Sequence, residues 1–156
     1  MITASPGHYG KGTGAHGFID EGLENIRVTK EVVKKLRASG ITTNYIQDDV
    51  NKSQSKNINW LKAQHNKTAR DIDVSIHFNA SGNTTNVAIG TEVLVYGDNN
   101  ASNAKLIVDG ISNVSNLKNR GVKIRKDLGI LMTNKPCYLI EVCFVNSQTD
   151  VALYEK

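Results

Sequence analysis

The sequence predicts a single-domain α/β fold, in which a mostly parallel, twisted sheet carries helices on both faces. The chain has 156 residues, enough for one compact domain but not for two. Short strand-like segments alternate with longer helical ones, which is the pattern of an α/β sheet. The most apolar run, residues 138–145, is typical of a strand in the middle of a sheet that is covered on both faces.

The chain begins with a short predicted strand, residues 2–4, followed by a loop with five glycines, residues 5–17. These glycines exclude a helix, and no GK[ST] sequence opens a helix as a phosphate-binding loop would. Asp20 is a good N-cap for a helix that runs from about Glu21 to Ser39, where Gly40 ends it.

Further strands and helices alternate along the rest of the chain. We predict strands at 41–46, 73–80, 90–96 and 138–145, helices at about 53–69, 101–117 and 148–156, and shorter extended pieces at 120–124 and 130–132. The last helix runs to the final residue, so we expect it to be truncated. No linker divides the chain, and we therefore expect one domain over residues 1–156.

Charge and composition argue against several classes of protein. The net charge of +4 arises from 19 basic and 15 acidic residues, and the basic residues are scattered, so we expect no nucleic-acid partner. No apolar run reaches the roughly 18 residues of a membrane span, and no signal peptide is visible. Cys137 and Cys143 would lie about 20 Å apart on one extended segment, so we predict free thiols.

Two histidines are predicted to meet at one edge of the sheet. In the strand at 73–80, alternation places His77 on the polar face at the C-terminal end, where α/β sheets bind ligands. His8 leaves the first strand at the same edge if the two strands are parallel. We interpret His65, on the second helix, as structural, because no other candidate ligand lies near it in the sequence.

Three carboxylates complete the set of candidates. Glu21 and Glu24 lie in the first turn of the first helix, where either could serve the helix dipole or act as a ligand. Glu141 is the one charge in the apolar run, so it is either paired with a buried cation or chemically active, and we favour activity. Asn79 either orients a ligand or forms a turn at the end of its strand.

Two histidines and one carboxylate form a ligand set typical of catalytic zinc, with a fourth position left for water. A further carboxylate outside the ligand set can take the proton of that water, and Glu141 suits this role because burial raises a carboxyl pKa. The spacing alone is weak evidence, since the ligands come from three separate elements.

Five motifs in order resemble one known family, the zinc-dependent N-acetylmuramoyl-L-alanine amidases of type 3, which includes phage endolysins and bacterial autolysins. The motifs are Ser5-Pro6-Gly7-His8 with Gly14-Ala15, Glu21 with Asn25 and Gly40, Ser75-Ile76-His77-Phe78-Asn79-Ala80, Asn119-Arg120-Gly121-Val122-Lys123, and Leu139-Ile140-Glu141-Val142-Cys143-Phe144-Val145-Asn146. Together they extend over nearly the whole chain.

The resemblance implies that His8, Glu21 and His77 bind Zn²⁺ and that Glu141 is the catalytic carboxylate. It selects Glu21 over Glu24. It implies a peptidoglycan substrate, cleaved between the lactyl group of N-acetylmuramic acid and L-alanine of the stem peptide. The protein would then act on the cell wall, outside the cell or after release by a phage.

Two alternatives remain open from the sequence. One is a wall-binding zinc module without catalysis, although a binding module has no need of a buried acid such as Glu141. The other is a zinc peptidase that cuts within the stem peptide. Members of the family often carry a separate wall-binding domain, and we expect none within these residues.

Overall fold

Six strands form one sheet in the computed structural model, which describes residues 1–51 and 53–156. The strands are β1 (Ile2–Pro6), β2 (Thr43–Tyr45), β3 (Ile72–Asn79), β4 (Thr91–Val95), β5 (Asn119–Ile124) and β6 (Cys137–Phe144). The helices of these residues are α1 (Glu21–Ala38), α2 (Gln54–Lys67), α3 (Ala101–Ser115) and α4 (Gln148–Tyr154).

The strand order is β2-β1-β3-β6-β4-β5, and every neighbouring pair is parallel except β4 with β6. The predicted mostly parallel sheet is therefore confirmed. The antiparallel pair has a consequence for the site. It brings the N-terminal ends of β4 and β5 to the edge at which β1, β3 and β6 have their C-terminal ends.

The apolar strand β6 lies in the interior of the sheet, as its composition predicts, and its side chains alternate between the two faces. Leu139 packs in a cluster with Leu61 of α2, whereas Tyr138 packs in a cluster with Val108 of α3. Helix α1 packs on the α3 side, through Val33. The sheet thus has helices on both faces, as predicted.

Two predicted extended segments differ in the structure. Residues 130–132, predicted as extended, form a turn of 3-10 helix, Gly129–Met132. The turn lets the adjacent Ile130 and Leu131 pack into the same cluster, whereas a strand would point them in opposite directions. Strand β2 is shorter than predicted because the backbone N–H of Ile41 donates to the carbonyl of Leu36 and ends α1.

The two cysteines, Cys137 and Cys143, are both buried free thiols, as predicted. Of the helices that the structure describes, none combines the length and the apolar character that crossing a bilayer requires.

His65 anchors α2 beneath the sheet, in agreement with its structural interpretation. Its Nδ1 lies 2.7 Å from Oδ1 of Asp73 on β3, and its Nε2 lies 2.9 Å from Oγ of Ser5 on β1. Arg70 donates to both carboxylate oxygens of Asp73 at 2.8 Å. His65, Asp73 and Ser5 are all fully buried, so this network joins the two strands whose ends lead to His8 and His77.

We expect His65→Ala to lower the free energy of unfolding by about 2–4 kcal/mol, because it removes two buried hydrogen bonds and leaves a cavity. Urea denaturation measures the loss. Asn59→Ala, at an exposed position on the same helix, is the matched control and should change stability by less than about 0.5 kcal/mol. Equal effects of the two substitutions would contradict the anchoring role.

Candidate metal centre

His8 and His77 meet because β1 and β3 are parallel neighbours. His8 follows the last residue of β1 by two positions, and the N–H of Gly7 donates to the carbonyl of Ile76 at 2.9 Å, which extends the ladder toward the site. His77 is near the end of β3. The two imidazole rings are edge to face, with centroids 5.2 Å apart.

Glu21 reaches the histidines from the first residue of α1. The helix begins there because Asp20 caps it, accepting a hydrogen bond from the N–H of Leu23 at 3.1 Å. Oε1 of Glu21 lies 3.3 Å from Nε2 of His8 and 3.1 Å from Nδ1 of His77. The structure therefore brings three of the predicted residues together.

The backbone fixes both oxygens of the Glu21 carboxylate. Oε1 accepts the N–H of Phe78 at 3.0 Å, and Oε2 accepts the N–H of Ala15 at 2.6 Å. Burial alone would raise the pKa of Glu21, but hydrogen bonds and charge from His77 and His8 hold it well below its ordinary value. The side chain is thus a carboxylate at neutral pH.

The donor set fits a zinc ion. One ligand atom from each of His8, Glu21 and His77 lies within 4.8 Å of the others. Imidazole nitrogen and carboxylate oxygen are ligands that zinc takes in proteins. Oγ of Ser75, which lies 3.1 Å from Nε2 of His77, can accept a hydrogen bond from an N–H at that position, which leaves Nδ1, the nitrogen that faces Glu21, free of a proton and able to act as a ligand. These contacts show where a metal could be held.

Two glycines make room for the three side chains. A Cβ at Gly7 would overlap the His77 ring. A Cβ at Gly14 would overlap Oε2 of Glu21 and lie 2.7 Å from Cδ2 of His8. Gly14 also has a φ of +80°, which side-chain-bearing residues rarely adopt. The glycine-rich loop therefore serves close packing around the candidate metal centre.

Glu24 does not join this cluster. Its Oε2 accepts hydrogen bonds from Arg27, at 2.8 Å from Nε, and from the hydroxyl of Tyr154 on α4. Of the two glutamates of the first turn, Glu21 is the one whose carboxylate lies beside the two histidines.

Glu141 lies beside the histidine pair. It is the register partner of His77 on the adjacent strand, so the two side chains emerge on the same face. Its Oε2 is buried, and no hydrogen-bond partner reaches it from the described residues. The same residues supply no ion pair to this carboxyl, so the alternative of a buried salt bridge receives no support from them.

Burial, which has the largest effect, and the negative charges of Glu21 and Glu92 together raise the pKa of Glu141 from its ordinary value of 4.5 to about 8, against the opposing effect of Arg125. A carboxyl that titrates near neutral pH can exchange a proton in both directions, which is what general acid–base chemistry requires.

The sequence reasoning missed a second polar cluster next to Glu141. Glu92 is the antiparallel register partner of Glu141 and is buried. It accepts hydrogen bonds from Nε of Arg120 at 2.8 Å and from Nδ2 of Asn79 at 3.0 Å. Glu92 and Arg120 are the second residues of β4 and β5, so a search limited to C-terminal strand ends could not find them. For Glu92 the available signal was a charge at the start of an otherwise apolar strand; the mixed sequence of β5 gave no such signal for Arg120.

This arrangement of imidazoles and carboxylates at one sheet edge is typical of metal-dependent hydrolases. The chain belongs to the Amidase_3 family, N-acetylmuramoyl-L-alanine amidase, which it matches over residues 2–156. The expected family is therefore confirmed.

Solved structures agree with this assignment. The catalytic domain of the CD27L endolysin, which targets Clostridia difficile, is 26% identical and superposes with a TM-score of 0.86, over 97% of this chain and 86% of that one. An N-acetylmuramoyl-L-alanine amidase from Clostridium difficile 630 shares the fold, with a TM-score of 0.82 at 24% identity, over 97% of this chain and 83% of that one.

A curated relative is longer than this chain. The uncharacterized protein CPE1502 of Clostridium perfringens (strain 13 / Type A) is 36% identical over 161 residues, which cover 99% of this chain and 47% of the relative. The chain thus spans about half the length of the curated relatives that it matches.

We expect Gly14→Ala to weaken zinc binding by about 10- to 100-fold, because the added methyl group displaces Glu21 and His8. Chelator competition measures the affinity. Gly12→Ala is the matched control, since Gly12 has a φ of +79° but open space around its Cβ position. Both variants carry about 1–2 kcal/mol of backbone strain, so equal zinc affinities would contradict the packing argument.

We expect the stability of the metal-free protein to fall as the pH rises from about 5 to 8, relative to Glu141→Gln. The folded pKa of about 8 exceeds the unfolded value of 4.5, so in this window the folded protein holds a proton that the unfolded chain releases. The contribution is complete below pH 4.5 and is lost by about pH 8. Urea denaturation across this pH range measures the free energy of unfolding of wild type, of Glu141→Gln and of the control Glu31→Gln, whose side chain is exposed. If the free energies of wild type and Glu141→Gln changed with pH in parallel, the raised pKa of Glu141 would be refuted.

Proposed function

We propose that residues 1–156 form the catalytic domain of a zinc-dependent peptidoglycan amidase. The bond cleaved is the amide between the lactyl group of N-acetylmuramic acid and L-alanine of the stem peptide. The observation that carries this proposal is the half-buried carboxyl of Glu141 beside the cluster of His8, Glu21 and His77, with its Oε2 buried and without a hydrogen-bond partner among the described residues.

In the proposed mechanism His8, Glu21 and His77 hold the zinc ion. When bound there, zinc supplies polarisation of the amide carbonyl and a lowered pKa for a water molecule, near 7 in known zinc enzymes. Glu21 is held in place by the N–H groups of Phe78 and Ala15, so its carboxylate needs no rearrangement to act as a ligand.

Glu141 moves the proton. As a carboxylate it takes a proton from water, whose oxygen forms the new bond to the carbonyl carbon. As a carboxylic acid it then gives that proton to the alanine nitrogen while the carbon–nitrogen bond breaks. The products are a free lactyl carboxyl and a free α-amine, and Glu141 returns to its starting form. Its raised pKa keeps both forms accessible near neutral pH.

The same carboxyl argues against a binding module without catalysis. A carboxyl oxygen that is buried without a partner, as Oε2 of Glu141 is among the described residues, costs stability, and recognition of a wall polymer gives no reason to keep one on an interior strand. A zinc peptidase that cuts within the stem peptide would use the same groups, so the position of the cleaved bond decides between peptidase and amidase.

The proposed substrate sets the place of action. The protein would act on the cell wall, outside the cell or after release by a phage. In this proposal residues 1–156 are the catalytic domain, and none of them form a wall-binding domain.

The test is digestion of purified peptidoglycan with the protein, with and without a chelator, followed by chemical identification of the new ends. We expect new N-terminal alanine without new reducing sugar, loss of activity on chelation and recovery with zinc. Glu141→Gln should reduce kcat by about 10²- to 10⁴-fold while zinc remains bound.

Two glutamates of the same helical turn provide a matched pair. Glu21→Gln should lose zinc and activity together, whereas Glu24→Gln should keep both, because Glu24 contacts only Arg27 and Tyr154 among the described polar groups. A new amine on another stem residue would indicate a peptidase. Zinc binding without new ends on any wall would favour the binding module.

A further inference from the structure

The edge of the sheet that carries the candidate metal centre is rich in carboxylates. Glu21, Glu92 and Glu141 all lie there, and the negative charges of Glu21 and Glu92 both raise the pKa of Glu141. At the part of this edge away from the proposed metal ion, these carboxylates would repel an anionic segment of a substrate unless a further cation stood nearby. Arg120, at the start of β5, stands at this edge.

Arg120 is held in a fixed position. Its Nε donates to Oε2 of Glu92 at 2.8 Å, and its Cζ lies 4.9 Å from the centroid of the Phe144 ring at the end of β6. Glu92 is itself buried and is held on its other oxygen by Asn79. The guanidinium group is therefore oriented by a carboxylate on one side and an aromatic face on the other.

Arg120 also keeps unused donors. A guanidinium has five N–H groups, and only its Nε takes part in a side-chain hydrogen bond among the residues described. The side chain is 33% exposed, so its two terminal nitrogens can reach a ligand. The nearby Arg125, by contrast, is engaged by Asp127 through both Nε and a terminal nitrogen.

The strand order gives the substrate a direction. His77, Glu141, Glu92 and Arg120 lie on β3, β6, β4 and β5, which are successive strands of the sheet. In the proposed reaction Glu141 gives its proton to the leaving amine, so the peptide that follows the cleaved bond extends from Glu141 away from the histidines. Arg120 lies in that direction.

We propose that Arg120 binds a carboxylate of the stem peptide, that of the acidic residue which follows the alanine. This inference rests on the proposed amidase function and adds a specificity determinant to it. In peptidoglycan the second stem residue is a γ-linked glutamate whose α-carboxyl is free in some walls and amidated in others. The two terminal nitrogens of a guanidinium match two carboxylate oxygens, whereas a carboxamide offers only one acceptor.

The experiment compares two soluble, uncross-linked peptidoglycan strands that differ only in whether this α-carboxyl is free or amidated. With the zinc-loaded protein we expect kcat/KM to favour the free acid by about tenfold, mainly through KM, because one charge-assisted hydrogen-bonded pair is lost with the amide. Arg120→Lys should keep part of the preference, since lysine retains the positive charge but lacks the two parallel N–H donors of the guanidinium.

Removal of the guanidinium should abolish the preference. Arg120→Gln leaves Glu92 buried without its cation, so the double variant Glu92→Gln/Arg120→Gln is measured beside it, with thermal unfolding to establish that each is folded. Lys105→Gln is the control for net charge, because Lys105 lines the same surface groove as Arg120 and is 69% exposed. It should keep the full preference.

The outcomes separate this inference from the proposed function. Cleavage of both strands with equal kcat/KM, or a preference for the amide, would overturn the role of Arg120 and leave the amidase intact. The role of Arg120 would also be overturned if folded Glu92→Gln/Arg120→Gln kept the preference for the free acid, or if Lys105→Gln lost this preference to the same extent. Release of no stem peptide from either strand would instead contradict the amidase function.

Discussion

The carboxylate of Glu21 is the contact on which the rest of the candidate site depends. It joins the start of α1 to the glycine-rich loop, through Ala15 and His8, and to the end of β3, through His77 and Phe78. The N-cap at Asp20 sets where α1 begins, and it thereby sets where this carboxylate lies.

The one antiparallel pairing in the sheet gives the site its second half. A wholly parallel sheet would present only C-terminal strand ends at this edge, and these supply His8, His77 and Glu141. Because β4 is antiparallel to β6, the N-terminal ends of β4 and β5 add Glu92 and Arg120 to the same surface. The result is a continuous row of polar groups across four strands.

Much of this arrangement could be predicted from the sequence, and the exceptions have physical causes. Alternation located His77, and an isolated charge in an apolar run located Glu141, because both signals are local. The choice between Glu21 and Glu24 depends on where the first turn of α1 places each side chain. The local sequence does not determine this, so the choice rested on the family resemblance, and the fold then showed which carboxylate lies beside the histidines. The cluster of Glu92 and Arg120 depends on strand direction, and nothing local in the sequence encodes the orientation of β4. Residues 130–132 were predicted wrongly as extended because the two adjacent apolar residues Ile130 and Leu131 are as compatible with a turn packed against α2 as with a strand.

The buried network of His65, Asp73 and Ser5 lies under the strands that lead to the histidines. Since it ties β1 to β3 without any help from the metal-binding groups, the scaffold of the site is complete before an ion arrives. In the proposed function, binding of zinc would therefore require little ordering of the chain, unlike binding to a small zinc-folded domain that is unfolded without its metal. If the chain is the proposed zinc enzyme, this buried network predicts that the fold persists when the ion is removed and that zinc can bind again without refolding.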